Sequence, residues 1–152
     1  MGKKPKVQTD AAVQAATRKA KATPPASSQD ETPIFCFRYA DRATKEAWQF
    51  RPSDKEASKL VDFLCDITGA TWREIEGMTS GGHRKHHAQE LKGITRKAKK
   101  DAERRKLAER FGDELFRFRL GSKRRLWGFR KARTFHVVWW DPNHKVYPTE
   151  PS

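Results

Sequence analysis

The last forty or so residues of the chain contain four short runs of strand character, and the first run alternates between apolar and polar positions with a two-residue period. In 115–120, phenylalanine and leucine fall on one side, whereas Arg117 and Arg119 share the other side with Leu115. Similar runs, rich in aromatic and β-branched residues, lie at 125–129, 135–140 and 144–147. Short turns separate the runs, so the pattern predicts an antiparallel β-meander.

The middle of the chain carries the signals of helices. Ser53 and Glu56 form a capping-box pattern, and apolar residues at helical spacing follow it up to Gly69. Thr71 and Glu74 repeat the pattern and predict a second, short helix. Two helices therefore precede the meander.

A basic helix is predicted over 95–111, where Gly112 provides a natural stop. Its eight lysines and arginines outnumber three acids, and its apolar face is thin. The charged face is either simply solvated or in contact with phosphate, and the sequence leaves both interpretations open. Arg104 and Arg105 on this helix are candidate nucleic-acid contacts.

The remaining segments complete an α+β organisation. Residues 34–39 and 47–51 have strand character and are expected to pair as a hairpin, and 79–94 reads as an irregular loop. Residues 1–32 contain no aromatic side chain, which is typical of a disordered segment. The predicted divisions are a disordered basic tail over 1–32, a single α+β domain over 33–148, and a C-terminal tail over 149–152.

Charge then narrows the class of partner. The formal net charge is +14 and the pI about 10.1, and such a field attracts polyanions. A nucleic acid, RNA in the first place, is the expected partner, and a basic surface kept for solubility is the alternative. No stretch reaches the length of a membrane span and no signal peptide is recognised, so a cytoplasmic protein without membrane contact is expected. Cys36 and Cys65 show no metal or disulfide spacing and are expected to be buried, inert thiols.

Two clusters carry candidate chemistry. Arg117 and Arg119, with Arg125 on the next strand, form a cationic platform if their sheet face is open, and Trp127 would stack on bases there. The alternative is that these arginines only solvate an outer face. The loop 81–87 contains three histidines, which suit phosphate contact, acid–base work or, less well, a metal. Its candidate nucleic-acid contacts are His83, Arg84, His86 and His87.

The C-terminal sequence resembles the RelE/ParE toxin superfamily. The residues concerned are Leu-Phe-Arg-Phe-Arg-Leu-Gly-Ser-Lys-Arg-Arg-Leu-Trp-Gly-Phe at 115–129, an apolar strand, and His-Lys-Val-Tyr at 144–147. The resemblance covers about forty of the 152 residues. It implies helices before an antiparallel sheet, cleavage of messenger RNA, usually on the ribosome, and a cognate antitoxin. Asp141 departs from the pattern, because many members carry a basic residue there.

The resemblance also implies roles for individual residues. Arg117, Arg119 and Arg125 would stabilise the charge of the phosphorane transition state, and His144 and Tyr147 would move protons. A metal-independent endoribonuclease without a cofactor is thus expected, with the arginines and His144 converging on one concave face. A non-catalytic nucleic-acid-binding module and a ribosome-associated accessory protein are the alternatives.

Overall fold

The computed structural model describes residues 27–148 of the chain, which adopt an α+β fold. Four helices and seven strands are formed in this part of the chain. The helices are α1 (Asp54–Ile67), α2 (Trp72–Gly77), α3 (Arg96–Arg104) and α4 (Leu107–Phe111), with short 3-10 turns at Ser28–Asp30 and Leu91–Gly93. The strands are β1 (Ile34–Cys36), β2 (Thr79–Ser80), β3 (His83–Arg84), β4 (His87–Glu90), β5 (Glu114–Leu120), β6 (Arg124–Lys131) and β7 (Thr134–Asp141).

Five of the strands form one mixed sheet in the order β1-β7-β6-β5-β4, and β2 and β3 form a separate hairpin. The three long strands β5, β6 and β7 are the predicted antiparallel meander, which is confirmed. The strand predicted at 144–147 is wrong. The chain turns instead after Asp141, whose carboxylate accepts hydrogen bonds from the backbone N–H groups of Lys145 (2.7 Å) and Val146 (2.8 Å).

Both faces of this sheet are covered. On one face, called the α1 side, Phe116, Phe118, Leu126 and Phe135 pack with residues of α1 and α2. On the other, called the α3 side, the packing involves α3 and α4. Its members include Leu115, Trp127, Phe129 and Trp139 from the sheet and Ala98, Ala102 and Leu107 from the helices. Because each face has its own apolar core, the alternating strands are buried on both sides.

The helix signals of the sequence correspond to real caps. The side chain of Ser53 accepts a hydrogen bond from the N–H of Glu56 at 3.2 Å, and the full capping box of Thr71 and Glu74 is present. The basic helix expected over 95–111 is divided in two. Lys106 adopts a left-handed conformation, with φ of 53°, and separates α3 from α4.

The predicted N-terminal hairpin and the predicted loop over 79–94 both differ from the structure. The hairpin of 34–39 with 47–51 is wrong, because β1 pairs in parallel with β7. In the second segment Trp48 is buried, and its carbonyl accepts a hydrogen bond from the N–H of Trp140 at 3.0 Å. The expected loop 79–94 contains β2, β3 and β4, and β4 is an edge strand of the main sheet.

The folded domain begins earlier in the chain than the sequence predicted. The tail predicted over 1–32 lies largely outside the described residues, as does 149–152. Its last part is folded: the Trp72 N–H donates to the carbonyl of Glu31 at 3.0 Å, and Arg130 donates to the hydroxyl of Ser28 at 3.0 Å. The expectation of buried thiols is wrong for Cys65, which is exposed. Within 27–148, no helix combines the length and apolar character required to cross a membrane.

Candidate nucleic-acid interface

The three arginines of the meander project from the same face, the α3 side of the sheet. Arg119 lies opposite Arg125 in the β5–β6 register, and Arg125 lies opposite Asp141 in the β6–β7 register. This face is not open, however. Arg117 is 2% exposed and Arg125 is 0% exposed, whereas Arg119 is partly exposed. The expected cationic platform is therefore wrong, because a core covers two of its three guanidinium groups.

The buried arginines bind neighbouring polar groups instead of solvent. Arg117 donates to the carbonyl of Lys85 and to Nε2 of His87, both at 2.8 Å. Arg125 donates to the carbonyls of Ser122 (3.2 Å) and Arg124 (3.0 Å) in the β5–β6 turn. A buried guanidinium requires such partners, since an uncompensated charge is costly away from water. Both residues therefore hold loops in place.

Both ring nitrogens of His87 have polar partners. A guanidinium only donates, so Nε2 of His87 accepts the hydrogen bond from Arg117. Nδ1 lies 2.9 Å from the carbonyl oxygen of Ala88 and 3.4 Å from Nε2 of Gln89. These contacts hold the imidazole ring in place between β4 and β5.

His86 does not reach the surface either. It is 1% exposed, packs against Phe63 and Phe118, and accepts a hydrogen bond from the N–H of Arg119 at 3.0 Å. Burial, reinforced by the positive charges of Lys85 and Arg117, lowers the pKa of His86 to about 3. The prediction that His86 contacts nucleic acid is wrong for this conformation. His83 and Arg84, in contrast, are exposed on β3.

Trp127 and Tyr147 also lie elsewhere than predicted. Trp127 is 0% exposed, so it offers no stacking surface. His144, in the turn after Asp141, is partly exposed and left-handed, with φ of 58°. Tyr147 packs against Gly93 and lines a cleft with Glu114. Because Glu114 and Arg119 are five residues apart on β5, roughly 17 Å separates those ends, and Tyr147 does not join Arg119.

The exposed positive charge concentrates on α3. Arg96, Lys97, Lys100 and Arg104 occur at spacings of one, four and eight residues, which places them on one side of the helix. The opposite side, with Ala98, Asp101 and Ala102, is buried. A basic stripe therefore faces solvent along the length of α3.

Of the two acids of α3, Asp101 is withdrawn from this stripe, whereas Glu103 is exposed. Asp101 is 5% exposed and accepts a hydrogen bond from the Trp139 indole N–H at 3.0 Å. It also pairs with Arg104 and, at 3.6 Å, with Arg105. Burial, with a further contribution from the neighbouring Asp41, raises the pKa of Asp101.

The irregular segment 38–46 lies beside α3 and extends the stripe. Arg105 donates to the carbonyl of Tyr39, and the Arg110 guanidinium lies over the Tyr39 ring, 4.9 Å from its centroid. Lys97 pairs with Glu46 at 3.9 Å. The exposed Arg42 of the segment lines a cleft with Arg104 and so joins the same surface. We call this surface the basic face and define it as Arg42, Arg96, Lys97, Lys100 and Arg104.

Sequence reasoning anticipates part of the basic face. Arg104, a predicted nucleic-acid contact, is well exposed, with 60% of its side chain accessible, whereas Arg105 is mostly buried at 20%. Arg42 is missed, because the position of its segment depends on the contact between Tyr39 and Arg105, which no local pattern reveals. Within 27–148, no group of three or more His, Cys, Asp or Glu side chains is placed to hold a metal ion.

Comparison of the chain with models of protein families, with curated proteins and with solved structures finds no match. The similarity to the RelE/ParE superfamily therefore stays a prediction, resting on the residues of the meander.

Proposed function

We propose that this protein binds RNA through the basic face, without cleaving it. The observation that carries the proposal is the excess of exposed positive charge on α3: four basic residues face solvent against one exposed acid, Glu103, while Asp101 on the same helix is buried. Phosphate contacts by exposed lysine and arginine supply most of the affinity of sequence-independent nucleic-acid binding.

The charge pattern of α3 supports a role beyond solubility. No acid lies in its first turn, where the partial positive charge of the helix N-terminus favours anions, and Arg96 and Lys97 stand there instead. Arg96 and Lys100 are also like charges four residues apart, a pairing that weakens a helix. The arrangement lowers the stability of the helix, and affinity for phosphate explains why these basic residues are placed there.

RNA is the proposed nucleic acid because of the similarity of the meander to ribonuclease toxins. Duplex DNA is the alternative ligand against which RNA affinity is compared. The burial of Arg117 and Arg125 favours binding without cleavage, since a scissile phosphate would have to displace their backbone partners.

The test compares two charge-reversal variants with equal net charge. Lys97→Glu/Lys100→Glu alters the basic face, and Lys55→Glu/Lys59→Glu alters exposed positions on α1 as the matched control. Binding to labelled single-stranded RNA and duplex DNA is measured by fluorescence anisotropy across a salt series. We expect the α3 variant to lose about tenfold or more in affinity and the α1 variant much less. Equal losses of affinity in the two variants would show that RNA does not bind through the basic face.

A second candidate function is the metal-independent ribonuclease implied by the resemblance. One observation favours it: Arg117, Arg119 and Arg125 share one side of the sheet, and Arg119 is partly exposed. Its test is induced expression in a bacterial host of the wild type, Arg119→Ala and His144→Ala. A ribonuclease arrests growth and degrades messenger RNA in the wild type but not in the variants. Equal growth with intact messenger RNA in all three strains rejects it.

A further inference from the structure

We propose that a cleft between α3 and the segment after Tyr39 binds a single phosphate group of the RNA. This inference rests on the proposed function and specifies where the basic face makes its most specific contact. The cleft measures about 220 Å³ and is called the phosphate cleft. Its lining residues are Ala40, Asp41, Arg42, Ala43, Arg104 and Arg105.

Two of the three arginines at this cleft are oriented in advance. Arg104 and Arg105 both pair with the buried Asp101, and Arg105 also donates to the carbonyl of Tyr39. A guanidinium carries five N–H donors in a planar fork, so these contacts leave further donors available to an oxyanion. Orientation before binding lowers the entropy cost of holding a ligand.

The carboxylate at the cleft is turned inward. Asp41 is 2% exposed, and its oxygens accept hydrogen bonds from the N–H groups of Ala43 (3.2 Å) and Thr44 (3.1 Å) and from the Thr44 hydroxyl (2.9 Å). It therefore shapes the loop that carries Arg42. Three guanidinium groups also outnumber the two carboxyl groups nearby, Asp41 and Asp101, so the cleft has a net positive charge.

The composition of the cleft selects an anion over a base. Its uncharged lining residues are the alanines at 40 and 43, and among residues 27–148 no aromatic ring lines it to stack on a nucleobase. Arginine forks match the oxygens of phosphate, which lysine approaches only as a point charge. The ligand is either a terminal phosphate or a backbone phosphodiester, since both present this oxyanion.

The experiment replaces arginine by lysine, which keeps the charge and removes the fork. Arg42→Lys leaves the Asp101 contacts in place, and Arg104→Lys changes an oriented member of the cleft. Arg73→Lys, on the exposed surface of α2, is the matched control. Each full-length variant is titrated with the same single-stranded RNA carrying either a 5′-phosphate or a 5′-hydroxyl. Thermal unfolding of each variant confirms that the fold is intact.

We expect Arg42→Lys and Arg104→Lys to lose about tenfold in RNA affinity, while Arg73→Lys binds as the wild type does. A loss confined to the 5′-phosphorylated RNA assigns the cleft to a terminal phosphate, and an equal loss for both RNAs assigns it to a backbone phosphodiester. If the wild type binds and neither variant differs from Arg73→Lys, the phosphate cleft does not bind RNA and the proposed function stands. If the wild type binds neither RNA, both proposals fail.

Discussion

At the scale of single residues, His86 shows how the fold changes the chemistry of a side chain. Its ring packs between aromatic groups of α1 and β5, and its Nδ1 completes the hydrogen bonding of the β5 backbone at Arg119. Protonation would place a charge in an apolar core beside Lys85 and Arg117. His86 is therefore a structural acceptor that must stay neutral.

The stability of the protein is expected to depend on this neutrality. The pKa of His86 is about 3 in the folded protein, against about 6.5 in the unfolded chain. Between these values the unfolded chain binds the extra proton, so the free energy of unfolding falls as pH drops through this window. The slope contributed by His86 is up to about 1.4 kcal/mol per pH unit.

Substitution by asparagine isolates this effect. His86→Asn keeps an acceptor near the position of Nδ1 and removes the titrating group, so its urea-unfolding free energy should change less between about pH 7 and pH 4.5. His83→Asn removes an exposed histidine and should follow the wild type. Parallel pH curves for His86→Asn and the wild type would show that His86 does not control acid stability.

At the scale of elements, the β6–β7 pair depends on one glycine. The register changes between Trp127 and Gly128, which leaves Val138 as an extra residue on β7. A Cβ atom at Gly128 would lie 2.1 Å from the carbonyl oxygen of His136 and 2.8 Å from the Phe135 ring. The two strands thus approach so closely at Gly128 that no residue with a Cβ atom fits there.

Gly128→Ala is expected to lower the free energy of unfolding by about 3 kcal/mol, because backbone atoms of β7 must move. Gly77→Ala, at the end of α2, has open space at its Cβ and should change stability by less than about 1 kcal/mol. Chemical denaturation of both variants measures the difference. Similar stability of the two variants would contradict the steric account of the bulge.

At the scale of the whole molecule, positive charge is shared between the folded domain and the N-terminal segment. Of the net +14, residues 1–26 contribute six lysines and arginines and one aspartate. Such a segment adds long-range attraction to a polyanion, whereas the basic face adds contacts at defined positions.

Removal of residues 1–26 should therefore weaken RNA binding and flatten its salt dependence, by a slope of about 0.7 for each phosphate that the segment neutralises. The Lys97→Glu/Lys100→Glu change should still lower affinity in the shortened protein by about as much as in the full chain. Anisotropy titrations over a salt series measure both effects. If the shortened protein no longer responds to the α3 change, the N-terminal segment rather than the basic face binds RNA.

The sequence by itself determined the elements whose signals are local. Strand β5 follows from alternation, β6 and β7 follow from their aromatic and β-branched residues, and α1 and α2 follow from their caps, because each of these signals acts within a few residues. The excess of positive charge is likewise a property of the chain alone.

Only the tertiary structure decided which of these charges meet solvent. Alternation places Arg117, Arg119 and Arg125 on one side of the sheet, but it does not reveal that a core formed with α3 and α4 covers that side. Likewise, Arg42 and Arg104 are distant in sequence and share a cleft through contacts made by Tyr39 and Asp101. Burial depends on partners contributed by remote segments, and no local pattern encodes those partners.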